Sequence, residues 1–389
     1  MIRTIILGQG MVANYFAVGL ERIKAGEIPP YGVPLANVKL RRKIEEIEIV
    51  GAYDVDAEKV GKTVYEVAKK WIGEVSPIPE KLKEVEVREG VHLRSLNGVL
   101  SGVLGLERKM TLKDALNVII DQWREMNPDV IVNVITTENA KPINSINELE
   151  ERIDRNDIEK LTATQVYAYA TLKYREETGR KAAFINAIPT PVANDEKIVE
   201  MYNRKGLPLF GDDGATGATP LTADLLEHMA TRNRKVEFIV QFNIAGNIDF
   251  LALTLPERNI MKEITKVSII KDILGYDVPH YIKPTGYLEP LGDKKFVSIH
   301  MEYYTFNNLK DEIYVNVRMN DSPALAGLLV DLVRIGKICI DKGICGAVYP
   351  VNLFYMKMPG PPGSKSTSKI LAFQKLKEWL KEIDGLVDE

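Results

Sequence analysis

Residues 5–13, Ile5-Ile6-Leu7-Gly8-Gln9-Gly10-Met11-Val12-Ala13, run from an apolar stretch into a glycine-bounded turn, and an amphipathic stretch follows through Phe16, Leu20 and Ile23. The pattern predicts a strand, a tight turn and a helix. Glycines at 8 and 10 let backbone approach a pyrophosphate, and the small Ala13 permits close helix–strand packing. The first amides of the helix, around Met11 and Val12, then face the anion. A GxGxxA run also occurs as a plain strand-to-helix turn; its position directly after an N-terminal strand favours a dinucleotide cradle.

A second strand is expected over Ile47–Tyr53, ending at Asp54. A carboxylate there would bond a ribose diol and repel an extra phosphate, favouring NAD over NADP. Asp54 also reads as a turn or capping residue. Its separation from Gly10 is about twice the usual one, so an excursion at Pro29-Pro30-Tyr31-Gly32-Val33-Pro34 must precede the strand. Asp56 is expected to cap a helix reaching about Lys70. Further elements are a buried strand over Val130–Ile135, a helix from about Asp157 to Glu177, and strands at Ala182–Ala187 and Pro208–Phe210. This alternation predicts a parallel, doubly wound α/β sheet. Thr136 and Thr137 follow the Val130 strand, where such sheets place ligand contacts or an ordinary turn. Residues 77–110 have weak periodicity and read as an insertion.

After about Val236 the pattern changes. Lys295–Tyr304 and Glu312–Asn320 read as long strands, the second alternating Ile313, Val315, Val317 and Met319 with polar neighbours, which suits a mostly antiparallel sheet with one solvated or interface face. A helix from Pro323 to about Lys342, capped by Ser322, and an amphipathic stretch from Ile370 to Ile383 return to the first unit. The expected division is one discontinuous domain, 1–235 with 336–389, and a second, α+β domain at 236–335. Pro359–Ser368 reads as a flexible loop.

The chain has 389 residues, 45% of them hydrophobic, enough for two cores. Lys+Arg number 51 against Asp+Glu 54, with no basic stripe, so nucleic acid is not an expected partner. No apolar run approaches the roughly 20 residues of a membrane span, and Met1-Ile2-Arg3 enters a strand without a signal pattern. A cytoplasmic protein with no membrane partner is expected. Cys339 and Cys345 read as structural thiols.

Several polar turns are candidates for chemistry. Gly211-Asp212-Asp213-Gly214-Ala215-Thr216-Gly217-Ala218-Thr219 could bind an anion or a metal, or simply start a helix; it lacks the lysine of a phosphate loop. Gln241–Phe250 carries amides, Asn247 and Asp249 on a turn between apolar strands, suited to a polyol or a cofactor carboxamide. Lys262 and Lys266 stand one helical turn apart, where repulsion favours a neutral amine in at least one of them; a solvated helix face is the plainer reading. His92, His228, His280 and His300 have no metal-ligand spacing. A cation bound through Asp212, Asp213, Asp249 or Asp321 stays open.

Taken together, these stretches resemble the myo-inositol-1-phosphate synthase family in its prokaryotic and archaeal form. The matching runs include ILGQGMVANYFAVGL (6–20), VGAYDVDAEKVGK (50–62), FINAIPTPVANDEK (184–197), QFNIAGNIDFLAL (241–253), MKEITK (261–266), GYLEPLGDKKF (286–296), NDSPALAGLLVDLVR (320–334) and GICGAVYPVNLFYMKMP (343–359), collinear along nearly the whole chain. The resemblance implies an NAD-binding Rossmann domain and a catalytic domain whose sheet builds a homotetramer. It implies conversion of glucose 6-phosphate to 1L-myo-inositol 1-phosphate, by oxidation at C5, enolisation, an intramolecular aldol closure and re-reduction.

By the same resemblance Lys262, Lys266, Lys295 and Lys357 are the catalytic lysines, with Lys294 the alternative to Lys295. Lys262 would polarise the C5 oxygen, Lys357 would assist proton removal, and Lys266 or Lys295 would hold the aldol oxygen or the phosphate. Asn247, Asp249 and Asp321 would line the site. Gly8, Gly10 and Asp54 would contact the cofactor, and we group Met11, Val12, Ala13, Thr136, Thr137, Asp212 and Asp213 with them. One departure is visible: where the family commonly has Lys-Ser after the paired aspartates, this chain has Gly214-Ala215-Thr216-Gly217, with Thr216 or Thr219 as substitutes. Two other readings are an NAD-dependent dehydrogenase of another sugar phosphate and a non-catalytic NAD(H)-binding relative.

Overall fold

The computed structural model describes residues 1–97, 99–252, 254 and 269–387, apart from the side chains of Ile248 and Asp249. The strands are β1 (Ile2–Leu7), β2 (Ile47–Asp54), β3 (Val87–Glu89), β4 (Val130–Asn133), β5 (Ala183–Asn186), β6 (Pro208–Phe210), β7 (Lys235–Ala245), β8 (His280–Tyr287), β9 (Lys294–Tyr304), β10 (Lys310–Asn320) and β11 (Gly346–Ala347). One sheet has the order β11-β6-β5-β4-β1-β2-β3, every neighbouring pair parallel. The chain moves outward from β1 to β3, then restarts at β4 on the other side of β1. The β1/β4 boundary is therefore the switch point, where the strand ends diverge and leave a crevice.

Both faces of this sheet are covered, which is why its strands read as continuous apolar runs rather than alternating ones. Ile6, Val132 and Ile185 pack with helices Met11–Lys24 and Asp321–Lys342. Their neighbours Leu7, Ile131 and Phe184 pack on the opposite face with helices Leu112–Met126 and Ala163–Thr178.

The second sheet, β10-β9-β7-β8, is mixed. β9 is antiparallel to β10 and β7, but β8 lies parallel to β7, which corrects the mostly antiparallel expectation. The cause is the connection: residues 246–279 intervene between β7 and β8, long enough for a crossover instead of a hairpin. Along β9 alternate residues are buried, Lys295, Val297, Ile299, Met301 and Tyr303, so Lys295 holds the first inward position and Lys294 the outward one.

Other expectations are corrected. Asp56 sits in a turn, and the helix that follows is Val64–Ile72, capped by Thr63. Residues 77–110 supply the edge strand β3, so they complete the parallel sheet. Gln241 and Asn243 belong to β7, not to a turn, and their amides are used within the protein: Thr222 donates to Gln241 Oε1, Gln241 Nε2 to Asn243 Oδ1, and Asn243 Nδ2 to the Lys283 carbonyl. The run expected as a flexible loop is tied down, because Tyr349 donates to the Lys365 carbonyl and Asp272 accepts the Ser366 amide. The helix begins at Asp321 and Ser322 is not its side-chain cap; Ser322 instead donates its amide and hydroxyl to Asp293. Helix Lys369–Glu382 is capped by Ser368. Both cysteines are free, Cys339 in the core. Among the described residues no helix is long and apolar enough to cross a membrane.

Candidate active site

A pocket opens at the switch point. Its floor is the turn after β1, with Gly8, Gly10, Met11 and Val12 on the wall. Gly8 has φ +93, and a Cβ there would stand 2.8 Å from backbone atoms of Ile135, so the close passage of the chain leaving β4 forbids any side chain. Gly10 differs. It precedes helix Met11–Lys24 without a side-chain cap, and a Cβ on it would meet nothing within 4 Å. Protein packing does not require glycine there, and the space in front of the first helix amides is open to the pocket. Ala13 lies in the core behind the turn and does not line the pocket.

The end of β2 supplies the next wall. Asp54 is buried, its Oδ1 accepting the amides of Val55 and Asp56 at 2.7 and 2.9 Å. Its Oδ2 faces Lys59 Nζ at 3.3 Å, and Lys59 also lies 3.5 Å from Asp56 Oδ2. Lys59 lines the pocket and was not singled out from the sequence, although it follows Asp54 by only five positions. Thr136 and Thr137 line the pocket beyond β4, and Ser95, Leu96 and Leu100 of the presumed insertion close another side. The turn carrying them is held by His92 Nε2, which accepts the Leu96 amide.

The far wall carries the amines. Lys295 Nζ lies 3.6 Å from Asp321 Oδ2 and 4.9 Å from the Phe250 ring centroid. Lys357 Nζ donates to Asp213 Oδ1 at 2.7 Å, and the Lys357 amide donates to the Asp213 carbonyl at 2.8 Å. Both lysines, both aspartates, Thr216 and Asn247 line the same pocket as Gly10 and Asp54. A Cβ on Gly217 would stand 3.2 Å from Lys295 Nζ, so the turn that replaces Lys-Ser abuts this amine. Thr219 is buried in the helix and is not on the pocket wall.

Asp212, grouped with the cofactor contacts from sequence, does not line the pocket. Its carboxyl accepts from Asn186 Nδ2 and from the amides of Val192, Ala193 and Asn194, bracing that loop, and burial pushes it up to about 7. Asp293, absent from the sequence candidates, does much of the positioning. It accepts from Asn247 Nδ2 at 3.0 Å and from the Ser322 amide and hydroxyl, and its carbonyl accepts the amides of Lys295 and Asp321. Burial raises its carboxyl above the usual range. Lys262 and Lys266 lie outside the described residues, as does the side chain of Asp249. Among the described residues no three His, Cys, Asp or Glu side chains gather as a metal-holding group.

Fold and pocket together define a Rossmann-type α/β protein whose switch-point crevice is walled by Lys295 of the adjoining mixed sheet and Lys357 of the C-terminal segment, paired with Asp321 at the start of the helix after β10 and Asp213 in the turn after β6. The solved structure of a myo-inositol-1-phosphate synthase-related protein from Thermotoga maritima is 54% identical, with 98% of each chain covered and a TM-score of 0.92. Residues 217–322 match the profile of the family described as myo-inositol-1-phosphate synthase. The inositol-3-phosphate synthase of Corynebacterium glutamicum is 27% identical over 376 residues, 92% of this chain and 93% of that one. The inositol-3-phosphate synthase of Caenorhabditis elegans shares the fold, with a TM-score of 0.79 at 15% identity over 100% of this chain and 86% of that one. The chain belongs to the myo-inositol-1-phosphate synthase family.

Proposed function

We propose that this chain converts glucose 6-phosphate to 1L-myo-inositol 1-phosphate with a bound NAD. The supporting observation is the single pocket that contains both the Gly10–Asp54 cradle and two aspartate-paired lysines, Lys295 and Lys357. The amides after Gly10 would hold the pyrophosphate, Asp54 the adenosine ribose, and Thr136 and Thr137 the neighbouring part of the dinucleotide. When bound, NAD supplies a hydride acceptor at C5 that also returns the hydride.

The protein's own part is charge and proton handling. A C5 ketone acidifies the C6 proton, and the resulting oxyanion needs fixed positive charge in a site shielded from water. Lys295, held against Asp321, serves the aldol oxygen or the phosphate; Lys357, hydrogen-bonded to Asp213, assists removal of the C6 proton. Lys262 is assigned to the C5 oxygen and Lys266 to the same tasks as Lys295, on the family resemblance. Asn247 and Asp249 orient the sugar.

The same reading carries a homotetramer in the cytoplasm, assembled across the four-stranded sheet. On the face of that sheet turned away from the core, Tyr314 is 64% exposed and Phe242 and Tyr281 are each 42% exposed, a surface suited to a second copy, while Ile313 and Val315 of β10 pack inward. Light scattering reads the assembly. The activity itself is tested by supplying glucose 6-phosphate with catalytic NAD and resolving inositol phosphate by chromatography; no product would reject the assignment. A second reading, a dehydrogenase of another sugar phosphate, is favoured by the Gly214–Gly217 turn, and net NADH formation would identify it.

A further inference from the structure

Lys369, the first residue of helix Lys369–Glu382, is buried. Its Nζ donates to the carbonyls of Leu353 at 2.6 Å and Met356 at 2.7 Å. These close the last turn of helix Tyr349–Tyr355, whose C-cap is Met356, directly before Lys357. Its backbone amide donates to Asp224 Oδ1, on helix Ala218–Ala230, and so does that of Ile370. The preceding residue of that helix is Gly217, which abuts Lys295. One lysine thus links the segment presenting Lys357 to the helix bordering Lys295.

Such a residue is costly. Among the described residues no carboxylate lies within ion-pair distance of its Nζ, and desolvation, with the charge of Lys357 adding to it against the pull of Asp224, brings the amine down to about 7. A buried amine without a paired carboxylate is a poor way to stabilise a fold; an apolar side chain would fill the space without desolvating a charge. The two helix-end carbonyls need a donor, and meeting them with a lysine fixes the backbone of the next residue.

We propose that Lys369 is a positioning residue for Lys357, clamping the turn at Met356 so that the Lys357 amine is held on Asp213 and toward the pocket. This rests on the reading that Lys357 acts on the substrate. Displacing a reacting group by about 1 Å can cost on the order of a hundredfold in rate, so release of the clamp lowers kcat and leaves the cofactor cradle untouched.

The experiment compares wild type, Lys369→Met and Lys369→Gln, well below their unfolding temperatures. Reductive methylation with formaldehyde and cyanoborohydride, quantified by mass spectrometry, gives the labelling rate of Lys357 relative to Lys295. Steady-state kinetics with glucose 6-phosphate run in parallel. In Lys369→Met the Lys357/Lys295 ratio rises at least about fivefold and kcat falls at least about tenfold, with KM and NAD affinity within about twofold of wild type. Lys369→Gln, which keeps N–H donors, lies closer to wild type. An unchanged ratio, an equal rise at both lysines, or failure of both variants to fold overturns the proposal. Absence of turnover in the wild type would instead count against the assigned activity, while the labelling ratio still decides the role of Lys369.

Discussion

Lys357 is bound to Asp213 twice, amine to carboxylate at 2.7 Å and backbone amide to backbone carbonyl at 2.8 Å. The residues are 144 positions apart, and Asp213 has the left-handed φ of +63. A non-glycine residue in that region is held there by its surroundings. The pair joins the turn after β6 to the segment after helix Tyr349–Tyr355 and puts an amine at the pocket wall.

If that amine handles a proton in the reaction, Lys357→Met lowers kcat by about a hundredfold or more while NAD still binds. Stopped turnover and calorimetric titration with NAD are the checks. Turnover within a few-fold of wild type would remove Lys357 from the catalytic set. Asp213→Asn, which keeps an acceptor and loses the charge, has the smaller effect, about tenfold.

The two glycines of the first turn separate folding from binding. Gly8→Ala puts a Cβ against the Ile135 backbone at positive φ, and the expected loss is about 3 kcal/mol or more in denaturant unfolding. Gly10→Ala meets no protein atom, so unfolding stays near wild type while NAD affinity falls about tenfold or more. Equal loss of stability in both variants would contradict the assignment of Gly10 to the ligand.

Much of this region was legible beforehand, for a physical reason. A parallel strand buried on both faces reads as an unbroken apolar run, and β1, β4, β5 and β6 stand where those runs are. The inward position of Lys295 follows from the two-residue period of β9. Residues whose role is set by distant partners were not legible: Asp293 gains its importance from Asn247 and Ser322, and Lys369 from carbonyls at 353 and 356. β3 is three residues long at a sheet edge, too short and too charged to show a period. The parallel pairing of β8 depends on the path of a long connection, which no local pattern records.

Asp54 and Lys59 pair at one corner of the pocket, where the proposed cofactor's ribose would lie. Asp54→Ala removes the acceptor for a ribose diol and leaves Lys59 beside Asp56 alone, so NAD affinity falls about tenfold and the NADP/NAD affinity ratio rises. Titration with the two dinucleotides measures it; a ratio unchanged from wild type would show that Asp54 does not read the ribose.

Lys369 also leaves a signature in the pH dependence of stability. Its folded pKa, about 7, lies below that of the unfolded chain near 10.5. Between those values the unfolded state binds more protons, so this group makes stability rise with pH across the window, by at most about 1.4 kcal/mol per pH unit. Below pH 7 its unfavourable contribution is fully present. Subtracting Lys369→Met unfolding free energies from those of wild type between pH 7 and 10 isolates the slope; a flat difference would contradict the buried, weakly supported amine.

The central claim is that one pocket takes a hydride from C5 and gives it back to the same molecule after ring closure. Glucose 6-phosphate deuterated at C5, incubated with substoichiometric unlabelled NAD, tests it most directly by mass spectrometry of the product. The account predicts inositol phosphate that retains the deuterium, in many-fold excess over NAD and without accumulating reduced cofactor. Deuterium collecting in NADH beside an oxidised, uncyclised sugar phosphate would contradict it.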